Sequence, residues 1–389
     1  MGLAVKFFPT CEILHCVLLH FAMRILVVNG APRKSGHTKD LVTLFCNGIA
    51  EAGGEPDIVH LTDFTIRPCK GCYYCWTRTN DKAECVLNDD MASLIERFYE
   101  ADVLMLATPL YFYTFSAHLK TFIERLLPVS KPELELARTY GPMKNALLHK
   151  ERGPKGIGLI AVAGHKGLKI MDGILPTFEM IAEGLGARQV GNILRPESFF
   201  LDFPDNDLTR LRRVQAAIEK AGSEIVTHGK MTRETEREVA LPLTQDVDQY
   251  IQHFQTYWEI AKENDVFGRS LRSTLKKAIK HDLRVLMHEL AGCFNPSAMG
   301  DGEAVFMFRF SGKQPGDWHF VVSKKGCRVY QTAHEKPTVT LIATSEIFVS
   351  ILTERKDPLR LIERGKLQVS GDRSLLQRFH RLFPPPNNR

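Results

Sequence analysis

The chain of 389 residues has no uninterrupted run of about 18 apolar residues, which argues against a transmembrane helix. It contains neither G-x-x-x-x-G-K-[ST] nor G-x-G-x-x-G, so a Walker loop and a dinucleotide fingerprint are both missing. Residues 1–22 carry apolar positions, but Glu12, His15 and His20 interrupt them and no small-residue cleavage site follows. A secretory signal is therefore not expected there, and Met23 is the expected natural start behind a dispensable extension. Nine cysteines in so long a chain are too few for a secreted disulfide scaffold. Their clustering suggests metal or redox chemistry in a reducing compartment, hence a cytoplasmic protein.

Hydrophobic content of 44% and charged content of 25% allow a sizeable core, and the length suggests two or three domains. The net charge of +6 is unevenly placed. From Val266 onward, 21 Lys and Arg face 11 Asp and Glu, a net +10, which leaves −4 for the remainder. That asymmetry places a boundary near residue 266. The expected domains are 23–228, a linker with a helix over 229–267, and 268–389. No nucleic-acid partner is expected, and a homo-oligomer is.

From Met23 the chain alternates strands with helices. Apolar runs predict strands at Ile25–Val28, Asp57–Leu61, Val103–Thr108, Ile157–Ala163 and Gln189–Leu194. Helical patterns fall at about 38–52, 89–100, 115–127, 171–185 and 206–228. This alternation argues for an α/β fold, a flavodoxin-like five-stranded parallel sheet of order 2-1-3-4-5. Its ligand crevice lies at the carboxyl ends of strands one and three. Residues 129–156 read as an excursion, a lid or oligomer contact, and 229–245 as a charged loop. Apolar residues from Val247 to Ala261 recur at helical spacing, which suits a docking helix or a core helix.

The loop Asn29–Thr38, between strand one and its helix, has the architecture of a phosphate site. Backbone N–H groups and the helix dipole converge on one anion there. Ser35, His37 and Thr38 can add donors, and Arg33 or Lys34 can add charge. After strand three, Pro109, Tyr111, Phe112 and Tyr113 bring aromatic faces that suit a flat ring. Gly164–Gly167 follows strand four and can close the same crevice. His165 is a candidate proton donor or a plain loop histidine. Cys69, Cys72, Cys75 and Cys85 form C-x2-C-x2-C-x9-C. Three thiolates at this spacing can converge on one metal centre, with a fourth completing it. Zinc also suits four thiolates, and cysteines without metal are the third reading. Asn88, Asp89 and Asp90 look like a helix N-cap with acidic first-turn residues.

Through NGAPRKSGHT, IRPCKGCYYC, NDDM and TPLYFYTFSAHLKTFIER, residues 23–128 resemble the NADPH-dependent FMN reductases and iron–sulfur flavoproteins. Two departures are Ala31-Pro32-Arg33 for the family's Ser-Pro-Arg, and Glu124-Arg125 for its Asp-Arg. The resemblance implies that Arg33, Ser35, Gly36, His37 and Thr38 hold the FMN phosphate. It gives the flavin ring to Pro109, Leu110, Tyr111, Phe112, Tyr113, Thr114 and Gly164. It also implies NAD(P)H as co-substrate and a 4Fe–4S cluster on Cys69, Cys72, Cys75 and Cys85, and it names no catalytic residue.

The region from Arg269 reads as a long helix striped by Leu271 to Leu290, then strands and helices in an α+β order. GEAVFMFRFSG, the run from Lys336 to Asp372, and LLQRFHRLF resemble the sterol carrier protein domain. That resemblance implies an apolar tunnel for a lipid-like ligand. Arg269, Arg272, Lys276, Lys277, Lys280 and Arg284 predict peripheral, salt-sensitive contact with anionic membranes. The expected function is an FMN-dependent NAD(P)H oxidoreductase that reduces a quinone, a flavin or another small-molecule or protein acceptor, coupled to lipid binding. The alternative is a lipid carrier with a flavodoxin-type electron-transfer or regulatory module.

Overall fold

A computed structural model describes residues 22–78, 82–137, 141–202, 208–244, 247–265, 281–354 and 356–384. The chain divides into two compact units, Met1–Ser198 with Arg212–Leu241 and Phe199–Leu211 with Pro242–Arg389. The extension 1–21 and residues 266–280, with most of the expected basic helix, lie outside the described residues. No helix among those described is long and apolar enough to cross a membrane.

The first unit is built on β1 (Arg24–Asn29), β2 (Glu55–His60), β3 (Val103–Pro109), β6 (Gly156–Val162) and β7 (Arg188–Arg195). They form one parallel sheet of order β2-β1-β3-β6-β7, the expected 2-1-3-4-5 once a hairpin is set aside. Every residue of β3 and β6 is buried, as is Ile25–Asn29 of β1, while β2 and β7 are mixed. Central parallel strands lie under helices on both faces, and that is why they read as unbroken apolar runs. The longer helices here are α1 (His37–Glu51), α2 (Met91–Glu100), α3 (Ala117–Glu124), α4 (Leu175–Gly184) and α5 (Leu208–His228).

Three segments depart from expectation. The excursion over 129–156 contains an antiparallel hairpin of β4 (Ser130–Leu136) and β5 (Met143–Leu147). Its leucines gave no burial signal because Leu134 and Leu136 face solvent. The segment expected to be a charged loop contains α6 (Arg233–Val239), whose N-cap is Thr232. Tertiary hydrogen bonds fix α6 instead of an apolar stripe. Glu224 accepts from Thr232 N and from the Thr232 and Thr235 hydroxyls, and Glu236 accepts from Asn192 N. The helix expected over 171–185 begins only at Leu175, after a short 3₁₀ turn at Leu168–Met171.

One close approach sets the position of α1. A Cβ on Gly48 would stand 1.8 Å from the Glu219 carbonyl oxygen of α5, and one on Gly222 would stand 2.2 Å from the Phe45 carbonyl oxygen. Backbone meets backbone at both points, so no side chain can give way. Gly48→Ala is expected to destabilise the first unit by about 2–3 kcal/mol through overpacking. This outweighs the gain of about 1 kcal/mol that alanine brings to a helix. A urea unfolding midpoint unchanged or raised in that variant would refute the crossing.

The second unit carries α7 (Val247–Glu263), α8 (Leu283–Gly292) and a sheet of β8 (Glu303–Ser311), β9 (Gly316–Ser323), β10 (Gly326–Tyr330), β11 (Val339–Thr344) and β12 (Leu367–Gly371). The order is β10-β9-β8-β11-β12, antiparallel throughout except where β11 runs parallel to β8. One sheet face packs Phe306, Phe308, Phe310 and Phe320 against Phe348 and Phe383. Tyr250, Phe254, Tyr257 and Trp258 of α7 pack around Phe199 and Phe200, so this helix helps build the unit's own interior. Among the described residues, the helix expected to run through Leu290 begins at Leu283. Asp282 has extended backbone and accepts from Arg284 N, which makes it the N-cap of α8.

Candidate functional site

Four chain segments leave the carboxyl edge of the first sheet, and three hydrogen bonds tie each to its neighbour. Gly30 N donates to Ala107 O (2.8 Å), Leu110 N to Val162 O (2.7 Å), and Ala163 N to Arg195 O (2.9 Å). The loops after β1, β3, β6 and β7 therefore form one continuous rim. The buried side chain of Asn29 accepts from Ala31 N at 2.9 Å and fixes the first turn.

Gly30 is required at this rim, since a Cβ there would meet Leu119 Cβ at 2.5 Å and Ser116 Oγ at 2.8 Å. In its absence Ser116 Oγ donates to Gly30 O at 2.6 Å and accepts from Leu119 N as the N-cap of α3. Ser116 N in turn donates to Thr108 Oγ1 at 2.9 Å. Thus the first loop, the end of β3 and the start of α3 share one buried network. Sequence reading missed Thr108 and Ser116 as positioning residues, although a serine just before a helical run is a capping signal.

The first loop presents Arg33, Ser35 and Gly36 at the surface side of the rim, with His37 and Thr38 opening α1; Thr38 is buried. Gly36 offers α1 no side-chain cap. Lys34 forms an ion pair with Asp63, which leaves Arg33 as the loop cation facing the helix start. The set suits a phosphate monoester, with a helix N-terminus, hydroxyls and one guanidinium on the same loop.

The second loop closes on itself through Tyr111 N to Thr114 O and Thr114 N to Tyr111 O, both 3.2 Å. Phe112 (φ 45°) and Tyr113 (φ 66°) occupy the two central positions, both in the left-handed region. Asn-Gly is the usual choice there, so two bulky aromatics store strain of about 1–3 kcal/mol each. Phe112 is 96% exposed at the tip. The third loop borders this turn, because a Cβ on Gly173 would lie 2.8 Å from Tyr113 O. Pro109, Leu110, Tyr111, Phe112, Tyr113, Thr114 and Gly164 thus share one stretch of rim. Aromatic faces and exposed backbone there fit a flat heteroaromatic ring.

Cys69, Cys72, Cys75 and Cys85 line a single pocket with Arg125, Leu127 and Pro128. Burial and then the neighbouring Cys85, Cys69 and Cys72 push the Cys75 thiol upward. Even so, among the described residues no group of three or more His, Cys, Asp or Glu is arranged to hold a metal ion. Cys72 is exposed and the other three are half-buried.

The floor of that pocket was not foreseen. Asp89, expected to belong to a helix cap, accepts from Met91 N, but its main partner is Arg125. Arg125 Nη1 and Nη2 donate to the two Asp89 oxygens at 2.7 and 2.9 Å, and Nη1 also donates to Arg67 O. Both side chains are 1–2% exposed. Burial alone would raise the Asp89 carboxyl; hydrogen bonds from Arg125, then Arg67 N and Met91 N, hold it down at about 2. Burial works against the Arg125 charge, but Asp89 and then Cys85 outweigh it and hold that pKa above the usual value.

Comparison with known proteins bears on both units. Residues 23–164 match the model of the NADPH-dependent FMN reductase family, and residues 297–384 match that of the SCP-2 sterol transfer family. An iron–sulfur flavoprotein of Methanocaldococcus jannaschii is 35% identical over 107 residues, 28% of this chain and 53% of that protein. An iron–sulfur flavoprotein of Archaeoglobus fulgidus is 34% identical over 103 residues, 26% of this chain and 48% of that protein. The chain spans about half the length of the curated relatives it matches. Among solved structures, an NAD(P)H:quinone oxidoreductase from Methanothermobacter marburgensis aligns with 54% of this chain and 100% of its own, at 19% identity and a TM-score of 0.40.

Proposed function

We propose that the first unit is an FMN-dependent NAD(P)H oxidoreductase that reduces a quinone, a flavin or another acceptor, joined to a second unit that binds an apolar, lipid-like ligand. The observation that carries this reading is the continuous rim at the carboxyl ends of β1, β3 and β6. It sets a phosphate-type loop, a strained aromatic turn and Gly164 side by side. Bound FMN would supply the hydride chemistry, and the protein supplies binding, orientation and charge.

In this reading Arg33, Ser35, Gly36, His37 and Thr38 hold the phosphate. Gly30, Ser116 and Thr108 lock that loop against the aromatic turn, so the two ends of the cofactor are fixed relative to each other. Pro109 to Thr114 support the ring, and exposed Phe112 leaves the outer side open for a visiting nicotinamide. The cysteine pocket offers the donor chemistry of an iron–sulfur cluster or a zinc ion, and Cys69, Cys72, Cys75 and Cys85 are the thiols that would hold it. In the second unit, the excess of basic residues suits peripheral contact with anionic membranes near a source of apolar ligand. Self-association into a homo-oligomer belongs to the same proposal.

The test is the full chain purified without oxygen, with flavin, iron and zinc quantified and NADH and NADPH offered with a quinone or free flavin. About one FMN per chain with steady nucleotide oxidation is expected. Bound lipid with neither flavin nor turnover would overturn the enzyme reading in favour of a lipid carrier.

A further inference from the structure

Lys166 and Glu197 form an ion pair where the third loop and the end of β7 leave the sheet. Lys166 Nζ donates to Glu197 Oε1 at 2.9 Å, with the Lys166 side chain 19% exposed and that of Glu197 1% exposed. Glu197 holds a left-handed conformation (φ 54°) that is strained for a glutamate. Two backbone bonds keep it there: Glu197 N donates to His165 O (2.8 Å) and Ser198 N to Ala163 O (2.9 Å). A buried ion pair is weak evidence for stability, since apolar residues of similar volume often serve as well. A strained backbone that holds such a pair at a ligand rim points to function.

Arg195, a buried cation nearby, is committed elsewhere. Its guanidinium donates to the carbonyls of Pro196, Val239 and Leu241 and secures the segment after α6. Lys166 is thus the outer, less buried charge of the group, two residues after Gly164 on the loop that continues to Gly173 beside Tyr113. Hydride transfer adds two electrons and one proton to a neutral oxidised ring, which leaves one negative charge on the reduced form. A cation held in a low-dielectric rim attracts that charge far more strongly than one in water.

We propose that Lys166, anchored by Glu197, is a positioning residue whose charge favours the reduced over the oxidised flavin. This inference rests on the oxidoreductase reading above. The experiment reduces FMN-loaded protein against a reference dye and measures the affinity for reduced FMN relative to oxidised FMN. Lys166→Met is expected to lower that ratio about tenfold, equivalent to about 30 mV for a two-electron couple. Affinity for oxidised FMN should stay within about threefold, and Lys166→Arg should restore the ratio; a merely structural lysine would move neither. If Lys166→Met fails to fold, Lys166→Met with Glu197→Gln removes both charges. The ratio should still fall in that variant, because the cation is the outer member. An unmoved ratio in whichever variant folds overturns the inference alone. Failure of the wild-type chain to take up FMN overturns the oxidoreductase reading first, and this one with it.

Discussion

Replacing Asp89 or Arg125 with alanine is expected to cost the first unit about 3–5 kcal/mol, the usual effect of stranding one member of a buried ion pair. The pair closes in two-point geometry and is 1–2% exposed, so water does not screen it. It also ties together segments distant in sequence: Arg67 before the first cysteines, Asp89 after the last, and Arg125 at the end of α3. Loss of either partner should therefore loosen the cysteine pocket before the sheet, which thiol labelling of Cys75 and Cys85 would detect.

The same pair sets a pH dependence. The folded-state pKa of Asp89 is depressed from 3.8 to about 2, so the unfolded chain takes up the proton first. The contribution is complete above about pH 5 and is lost as pH falls through 4 toward 2, amounting to about 2 kcal/mol. Asp89→Asn should flatten that acid limb in urea titrations at successive pH values. An unchanged limb would show that another carboxylate controls it.

Arg33→Ala combined with Thr38→Ala is expected to weaken FMN binding by about 3–6 kcal/mol, taking about 1.5–3 kcal/mol for each charge-assisted hydrogen bond. That corresponds to a loss of about 10²- to 10⁴-fold in affinity. Arg33 is exposed on the loop, and the neighbouring Lys34 is engaged with Asp63. Thr38 is buried in the first turn of α1. Fluorescence titration of apoprotein with FMN measures the change, and thermal melting confirms that the variant folds. Retention of full affinity would remove the phosphate site from this loop.

Local chemistry made much of this legible in the sequence. Ile25–Val28, Val103–Thr108 and Ile157–Ala163 announced central strands because a parallel strand covered on both faces must be apolar at every position. The βα alternation then restricted the sheet to a few orders, and the observed order is among them. The first loop and the aromatic loop were legible for the same local reason, since loops at the carboxyl ends of adjacent parallel strands lie side by side. The second unit showed the order of its strands and helices in the same way.

Contacts made only after folding decided the rest. Helix α6 carries one buried valine in RETEREV and stands on Glu224, Asn192 and Thr232, none of which periodicity can reveal. Asp89 looked like a cap because the residues beside it begin a helix. Its partner lies 36 residues away and appears only when α3 packs under the cysteine segment. The four thiols were legible as a set, but spacing fixes only how close they can come. Whether they close on one point depends on the turn around Tyr73 and on the Arg125 floor beneath them. Lys166 and Glu197 are 31 residues apart and meet because β6 and β7 are neighbours in the sheet. Sequence by itself determined the five strands of the first sheet, most of the helices between them and the loops that join them, since burial and turn chemistry are written residue by residue. Only the tertiary structure decided which charges are buried together, because that depends on which strand ends become neighbours.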